Sequence, residues 1–344
     1  MGIFAAGGIG IDLGSSFTSV FLENRGLMLR EPSRVLVNRE NAKQILGVGI
    51  QAQAMLGRTV EDVMLASPVM DGAVADVELC TLLMTSLAEK AADKRKVLEK
   101  ARLVVNVSQG ATKVERQALF QAMQAAGTKK PAALRSPMAA ALGMGLDVDK
   151  PRGVMVVDIG GGTTEIAVLS MNGIVAARAM RLGGMNMDEA IVRYFRREKN
   201  MAVGFRTAEE LKRDIGTALP DLDEGEKVLL KGRNMETGKP DTIEVTSQDV
   251  RKALEEPLCA LVDAMRSALE NTPPELVSDV MEDGIYLSGG GAMLHGLDEL
   301  IRQKTGVSVN LSEQAQDAVA LGVGRAATDE RLLDKLLDAA SAEE

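Results

Sequence analysis

One motif occurs twice in this 344-residue chain, and it limits the fold more than any other feature. Residues 9–22 read IGIDLGSSFTSVFL and residues 154–169 read VMVVDIGGGTTEIAVL. In each copy an apolar run leads to Asp, an aliphatic residue and Gly, and a second apolar run follows. This order predicts a β-hairpin with a tip of small residues. Because the hairpin is repeated, we expect a duplicated architecture.

The residues of both tips are suited to binding phosphate. Glycines let backbone N–H groups approach a phosphate without obstruction by a Cβ atom, and Ser or Thr hydroxyls add further donors. Asp12 and Asp158 would repel phosphate directly, but each can hold a hydrated Mg²⁺. Two tips facing each other would clamp a nucleotide polyphosphate between two domains. The alternative is a pair of ordinary hairpins with turn glycines.

A third glycine cluster lies near the end of the chain. Residues 284–287 are predicted to form a short strand, and residues 288–292 (SGGGA) to turn into a helix that begins at Met293. A strand, a glycine turn and a helix N-terminus together form a seat for an anion or a nucleoside. A simple tight turn explains the same residues equally well.

Composition argues against several classes of protein. The chain has 40 Lys and Arg against 49 Asp and Glu, and its net charge of -9 disfavours a nucleic-acid partner. Two distant cysteines, Cys80 and Cys259, exclude a cysteine-based metal site, and the single His295 disfavours a Ser–His–Asp hydrolase. No apolar run approaches the roughly 18 residues of a transmembrane helix. We therefore expect a cytoplasmic protein with reduced cysteines.

Further motifs follow in the order DLGSS, SPMAAALGMG, DIGGGTTE, TAEELK and LSGGGAML, with matching segments from residue 9 to about 325. In this order the chain resembles the superfamily of actin, sugar kinases and heat-shock chaperone ATPases. Within that superfamily it is most similar to the bacterial actins MreB and Mbl. The resemblance implies an α/β, actin-like ATPase fold with duplicated ribonuclease H-like domains and four subdomains. ATP and Mg²⁺ would bind in the cleft between the domains.

The resemblance also implies the domain bounds. Domain I would cover residues 1–138, with a small inserted subdomain at about 32–66. Domain II would cover residues 139–325, with its own insertion at about 182–246. Residues 326–344 would form a polar C-terminal tail, either as a short helix or as a frayed end.

The expected site residues follow from the resemblance by position. The first phosphate loop would consist of Asp12, Gly14, Ser15, Ser16 and Phe17. The second would consist of Asp158, Gly160, Gly161 and Gly162, followed by Thr163 and Thr164. The ribose and adenine would contact Glu209, Glu210 and Lys212. The adenine and the phosphates would contact Gly289, Gly290, Gly291 and Ala292. Asp12 and Asp158 would bind Mg²⁺ through water, and the residues expected to act in hydrolysis are Thr163, Thr164 and Ser136.

The chain departs from the family at the position that serves hydrolysis. The family begins one helix with Glu-Glu-Pro-Met, and the second Glu orients or activates the water that attacks the γ-phosphate. Here the sequence is Arg135-Ser136-Pro137-Met138. Serine is shorter and a poor base, and such groups contribute roughly 10²–10⁴-fold to a rate. We expect weakened hydrolysis with retained binding, although Thr163 or Thr164 could still orient the water.

Three local predictions concern side chains near these motifs. Phe17 replaces a polar residue of the family, and we interpret it as pointing into the domain core, with a place near the phosphates as the alternative. Thr207 and Glu210 fit a capping box at a helix start, as an alternative to ribose contact by Glu210. Thr112 and Glu115 fit a second capping box, for a helix that runs to about Ala126.

The resemblance further implies head-to-tail filaments that help to organise cell-wall synthesis and rod shape. The expected partners are further copies of the chain, actin paralogues and membrane proteins of cell-wall synthesis. Peripheral membrane contact would use Ile3 and Phe4, or a basic cluster, defined as Lys90, Lys94, Arg95, Lys96, Lys100 and Arg102; a solvated helix face is the alternative. The rival functions are a non-polymerising ATP switch, a copolymerising paralogue and a small-molecule kinase.

Overall fold

Two α/β units of the same design make up the chain. The computed structural model describes residues 7–40, 44–55, 62–220 and 227–341. The strands of the first unit are β1 (Gly8–Leu13), β2 (Phe17–Leu22), β3 (Gly26–Pro32), β4 (Val35–Asn38), β5 (Ile45–Val48), β6 (Val63–Ala66), β7 (Val69–Met70), β8 (Ala73–Val74), β9 (Arg102–Val107) and β10 (Lys130–Arg135). Its helices are α1 (Ile50–Gln53), α2 (Val77–Ala92), α3 (Lys113–Ala125) and α4 (Ser136–Met144).

The second unit follows from Val154 onwards. Its strands are β11 (Val154–Ile159), β12 (Thr164–Ser170), β13 (Gly173–Met180), β14 (Met201–Ala202), β15 (Lys227–Asn234), β16 (Pro240–Thr246), β17 (Ile285–Ser288) and β18 (Val309–Leu311). Its helices are α5 (Gly184–Glu198), α6 (Phe205–Ile215), α7 (Ser247–Glu270), α8 (Pro274–Asp283), α9 (Leu297–Thr305), α10 (Ala318–Thr328) and α11 (Glu330–Ser341).

Each unit is built on a five-stranded sheet, and the two sheets have the same topology. The strand orders are β10-β9-β1-β2-β3 and β13-β12-β11-β17-β18. In chain order, the first three strands of each sheet form an antiparallel meander. The fourth strand pairs in parallel with the first, and the fifth pairs in parallel with the fourth. The two glycine motifs join β1 to β2 and β11 to β12, so the predicted hairpins and the duplication are confirmed.

Smaller sheets stand apart from the two central ones. Strands β4, β5 and β6 form a three-stranded sheet within residues 32–66, and β14, β15 and β16 form another within residues 182–246. Both fall where the sequence predicts inserted subdomains. They leave the tips of the central hairpins facing the cleft.

Helix α10 returns from the second unit and packs on the first, against α4 and β1. Its Gly322 allows this approach, since a Cβ there would stand 1.8 Å from the carbonyl oxygen of Ala139 in α4. The predicted boundary between residues 325 and 326 falls inside α10. The tail beyond it is helical but not wholly polar, because α11 buries Leu333 and Leu336.

Helix caps show where local sequence patterns succeed. The capping box of α3 is confirmed, with Glu115 N–H donating to Thr112 Oγ1 at 3.2 Å. The box predicted at Thr207 is wrong, because α6 already begins at Phe205 after the N-cap Gly204. The helix predicted from Met293 is also wrong: residues 290–293 form a 3₁₀ turn, and α9 begins at Leu297.

Two expectations concern contact with a membrane, and the described residues bear on one of them. None of the helices within the described residues combines the length and the apolar character needed to span a bilayer. Ile3 and Phe4, the N-terminal residues expected to contact a membrane, lie outside the described residues.

Candidate nucleotide site

The two glycine hairpins meet tip to tip across the cleft between the units. A Cβ at Gly161 would stand 2.0 Å from Ser16 Oγ, and a Cβ at Gly162 would stand 2.8 Å from Ser15 Oγ. Glycine is thus required in the second tip by the serines of the first. The cleft encloses about 1420 Å³, above the roughly 300–1,000 Å³ of ordinary small-molecule pockets. It has room for a nucleotide.

The turn between β7 and β8 closes the same point from the side. Asp71 and Gly72 have positive φ angles of 50° and 74°. The Gly72 N–H donates to Ser15 Oγ at 3.0 Å, and a Cβ at Gly72 would stand 2.9 Å from Thr163 Cγ2. Three tips, two from the first unit and one from the second, therefore converge at one end of the cleft.

The three residues predicted to act in hydrolysis lie in different settings. Thr163 lines the cleft. Thr164 is buried, and its hydroxyl donates to the carbonyl oxygen of Leu182 at 2.7 Å. Ser136 lines the cleft, but its hydroxyl donates to the carbonyl oxygen of Val107 at 3.1 Å. The hydroxyls of Thr164 and Ser136 thus bond to neighbouring elements, and Thr163 and Ser136 are the two of the three that line the cleft.

Asp12 and Asp158 face the cleft near the ends of β1 and β11. Burial raises the pKa of Asp12 to about 8, and the charges of Asp158 and Asp317 add to this effect. Burial also raises the pKa of Asp158 to about 6, although the hydrogen bond that Ser288 Oγ donates at 2.8 Å opposes the rise. Desolvated neighbouring carboxylates favour a cation between them.

These two residues fit a hydrated Mg²⁺. The described part of the chain contains no cluster of three or more His, Cys, Asp and Glu side chains suited to a metal ion. A cation beside Asp12 and Asp158 would complete its shell with water and phosphate oxygens, as Mg²⁺ commonly does. Gly14 and Gly160 donate their N–H groups to Phe17 and Thr163 within their own tips, whereas Gly161 and Gly162 have N–H groups available for the phosphates of the same ligand.

Phe17 lies on the wall of the cleft, so the interpretation that it points into the core is wrong. Its exposed fraction is 47%, because the strand alternates and Thr18 takes the buried position. The Arg30 guanidinium lies 5.8 Å from the centroid of the Phe17 ring. Arg30 Nη1 lies 3.2 Å from Asp317 Oδ1. An aromatic ring and a cation therefore stand beside the first phosphate loop.

Helices α5 and α6 form the opposite wall. Glu209 and Lys212 line the cleft, and Lys212 Nζ lies 2.7 Å from Asp188 Oδ1. Glu210 does not line it: this exposed carboxylate accepts a hydrogen bond from Arg206 Nε at 3.0 Å. The structure thus places Glu210 neither in the predicted capping box nor at the cleft.

The third glycine cluster lines the cleft at the end of β17. Gly289 has a φ of 84°, and a Cβ there would stand 2.2 Å from the carbonyl oxygen of Ile159. Gly290 has open space around it, whereas Ala292 is buried and does not line the cleft. The backbone of the cluster therefore packs against β11, and Gly289, Gly290 and Gly291 form part of the cleft wall.

Sequence reasoning missed two residues of the site. Asn106 accepts a hydrogen bond from the Leu13 N–H at 2.6 Å and thereby fixes the end of β1. Glu165 lines the cleft, although the motif DIGGGTTE gave it no role. The signal was present in the hairpin register, since Glu165 pairs with Asp158 across β11 and β12. Residues paired in this way point to the same face of a sheet.

Duplicated α/β units with touching glycine hairpins and paired aspartates define the actin-like ATPase fold. The profile of the MreB/Mbl protein family matches residues 6–335. The chain is 40% identical to the cell shape-determining protein MreB of Escherichia coli K12 over 321 residues, which are 92% of each protein. It is 37% identical to Mbl of Bacillus subtilis 168 over 316 residues, 92% of this chain and 94% of that one.

A solved relative has the same architecture. The crystal structure of MreB5 of Spiroplasma citri bound to AMPPNP matches with a TM-score of 0.88 at 28% identity, and the match covers 96% of this chain and 97% of that one. The chain therefore belongs to the MreB/Mbl family.

Proposed function

We propose that this protein binds ATP with Mg²⁺ in its cleft, assembles head-to-tail into filaments, and helps to determine cell shape by organising cell-wall synthesis. The observation that carries the proposal is the contact between the two glycine tips, with Asp12 and Asp158 beside it. The AMPPNP bound to the Spiroplasma relative and the cell-shape role named for the E. coli and B. subtilis relatives support it.

Different residues of the cleft bind different parts of the nucleotide. Backbone N–H groups of Gly161 and Gly162 and the hydroxyls of the first loop bind the phosphates, and Asp12 and Asp158 hold the hydrated Mg²⁺. Lys212, Glu209 and the Gly289–Gly291 turn lie on the nucleoside side. The cation offsets the desolvation of the two carboxylates, so nucleotide and Mg²⁺ bind together.

Hydrolysis is slow in this proposal. Ser136 stands where the family carries its water-activating Glu, and its hydroxyl is already hydrogen-bonded to Val107. Loss of such a group typically lowers a rate by roughly 10²–10⁴-fold. ATP-bound subunits would then persist in the filament.

The basic cluster gives little support to membrane contact. Three of its members lie in ion pairs: Lys90 with Glu31, Lys96 with Glu99 and Arg102 with Glu330. Attraction to anionic lipid requires unneutralised charge near the surface. The proposal therefore treats the cluster as a solvated surface and assigns no membrane contact to it.

Sedimentation tests the filament. Purified protein is centrifuged across a concentration series with ATP·Mg²⁺, with ADP·Mg²⁺ and without nucleotide. We expect pelleting above a critical concentration, best with ATP·Mg²⁺. Asp158→Asn should lose this nucleotide dependence, because it removes the charge that holds the cation. Glu244→Gln on the exposed strand β16 is the matched control and should pellet as the wild type does.

The degenerate Ser136 position favours one second function, an ATP-dependent switch or a copolymerising paralogue. In that case folded protein would bind nucleotide and would not pellet alone at any concentration. Pelleting restored by a second actin of the same cell would indicate the paralogue. A nucleotide-dependent change in protease sensitivity without filaments would indicate the switch.

A further inference from the structure

A second carboxylate, distinct from the family's water-activating Glu at position 136, lies at the hydrolytic end of the cleft. Glu165 is on β12, two residues after Thr163, and only 2% of its surface is exposed. Its Oε2 accepts a hydrogen bond from the Gln109 N–H at 3.0 Å. Its Oε1 is buried and has no hydrogen-bond partner among the described residues. A buried oxygen left in this way is costly unless a ligand or a water donates to it.

We propose that Glu165 is the catalytic residue that positions the attacking water and receives its proton, in place of the carboxylate missing at position 136. The inference rests on the proposed binding of ATP in this cleft and goes beyond it. It predicts that hydrolysis is slowed by the loss at position 136 but not abolished.

The neighbours of Glu165 place it at the phosphate end. Ser108 and Thr163 both lie around Gly72, where an added Cβ would stand 3.5 Å from Ser108 Cβ and 3.5 Å from Thr163 Oγ1. Burial raises the pKa of the Glu165 carboxyl group, and hydrogen bonds from the Ser108 side chain and the Gln109 N–H oppose that rise. Thr163 and Glu165 thus flank the point where the three tips converge.

The other carboxylates of the cleft have different partners. Asp12 and Asp158 lie together and fit the cation. Asp188 is paired with Lys212, with 2.7 Å between Oδ1 and Nζ. Glu209 and Asp214 on α6 and Glu189 on α5 all lie on the nucleoside wall. Among the described carboxylates that line the phosphate end of the cleft, Glu165 is the one that neither pairs with a cation nor fits the metal.

The chemistry balances with water as the only co-reactant. The water oxygen forms a bond to the γ-phosphorus while the bond from that phosphorus to the bridging oxygen breaks. ADP leaves with the electron pair, and one water proton passes to Glu165 Oε1 before it is released with phosphate.

The catalytic role of Glu165 depends on the hydrogen bond that it accepts from Gln109. Gln109 belongs to the first unit and Glu165 to the second, so this bond spans the two. A carboxylate oriented by the opposite domain is correctly placed only while the two domains keep this contact. Hydrolysis would then be coupled to closure without any further residue.

The test compares Glu165→Gln, Ser136→Glu, the double variant and the control Glu244→Gln. Gln keeps an oxygen that can accept from Gln109 but cannot take a proton. We expect Glu165→Gln to stay folded and to bind AMPPNP about as tightly as the wild type. Its rate of phosphate release should fall by about 10-fold to 100-fold. Ser136→Glu should raise phosphate release, also in the Glu165→Gln background, because it restores the family carboxylate.

The outcomes separate this inference from the proposed function. Unchanged phosphate release by Glu165→Gln would overturn the inference, as would wild-type protein that binds ATP and releases no phosphate. Failure of the wild type to bind AMPPNP would instead overturn the proposed function. Where Glu165→Gln binds normally and its ATP filaments outlast those of the wild type in sedimentation, the inference is supported by a readout that does not measure turnover.

Discussion

At the scale of single residues, the cleft brings together acids whose charged forms are unfavourable without a ligand. Burial raises the pKa values of Asp12, Asp158 and Glu165 to about 8, 6 and 7. Each rise means that the folded protein binds a proton more tightly than the unfolded chain does. The stability of the protein without a bound cation therefore depends on pH, and a bound cation should reduce that dependence.

The first prediction concerns Asp12, whose pKa is raised most of the three. Above about pH 4 the unfolded chain holds fewer protons than the folded one, so stability should fall as the pH rises towards about 8. Thermal unfolding of the nucleotide-free protein across this range should show the fall. Asp12→Asn should flatten the profile, and Mg²⁺ with ATP should flatten that of the wild type. Parallel profiles for the wild type and Asp12→Asn would contradict the prediction.

Single residues also show why the sequence predicts only part of the site. The loop glycines could be placed because their role is backbone geometry, which the motif itself specifies. Adjacent residues of a strand point to opposite faces, so Phe17 faces the cleft because Thr18 faces the core. The sequence alone did not indicate which of the two would be buried. The role of Glu165 depends on its cross-strand pairing with Asp158 and on Gln109, which is 56 residues away in the chain. The pairing with Asp158 lies within a predicted hairpin, but no local pattern indicates the contact with Gln109.

At the scale of elements, glycines set how closely the helices approach. Helices α4 and α10 cross where a Cβ at Gly143 would stand 1.7 Å from the carbonyl oxygen of Ala318, and one at Gly322 would stand 1.8 Å from that of Ala139. Both contacts are with backbone atoms, which cannot move aside as a side-chain end can. This crossing joins α10 of the second half of the chain to the first unit.

Gly322→Ala should therefore destabilise the protein although alanine is the better helix former. The helix preference is worth about 1 kcal/mol in favour of Ala, whereas overpacking typically costs about 1–3 kcal/mol. With backbone only 1.8 Å away, the steric cost should exceed the gain. Urea unfolding measures the loss. Gly290→Ala is the control, since its Cβ would have no atom within 4 Å; an equal loss in both variants would refute the argument.

Elements differ in how well their own sequence specifies them. The hairpins and the cap of α3 were predictable because their signals are local hydrogen-bonding and turn geometry. The start of α6 was not, because Gly204 and Phe205 begin the helix before Thr207 can act as a cap. The start of α9 was displaced because Gly289 and Gly296 both adopt positive φ angles, of 84° and 70°, around a 3₁₀ turn. The packing of that turn on β11 is a tertiary effect.

At the scale of the whole molecule, the two units are joined by a shared core and by contacts across the cleft. Residues of α4, α10, α11 and both central sheets form one apolar cluster at the seam. Further out, Arg181 Nη2 lies 3.2 Å from Glu115 Oε1, and the Gln109 N–H reaches Glu165. The seam can serve as the pivot, and the outer contacts would then report whether the cleft is open or closed.

The last prediction follows from the charge of the whole chain. Each subunit carries a net charge of -9, so subunits brought together in a filament repel one another. Raising ionic strength from about 0.01 M to about 0.1 M shortens the screening length from about 30 Å to about 10 Å. At fixed ATP·Mg²⁺, the critical concentration for pelleting should therefore fall as NaCl is added. A critical concentration that rises with salt would show instead that the filament contact depends on complementary charges, which outweigh the repulsion between the subunits as wholes.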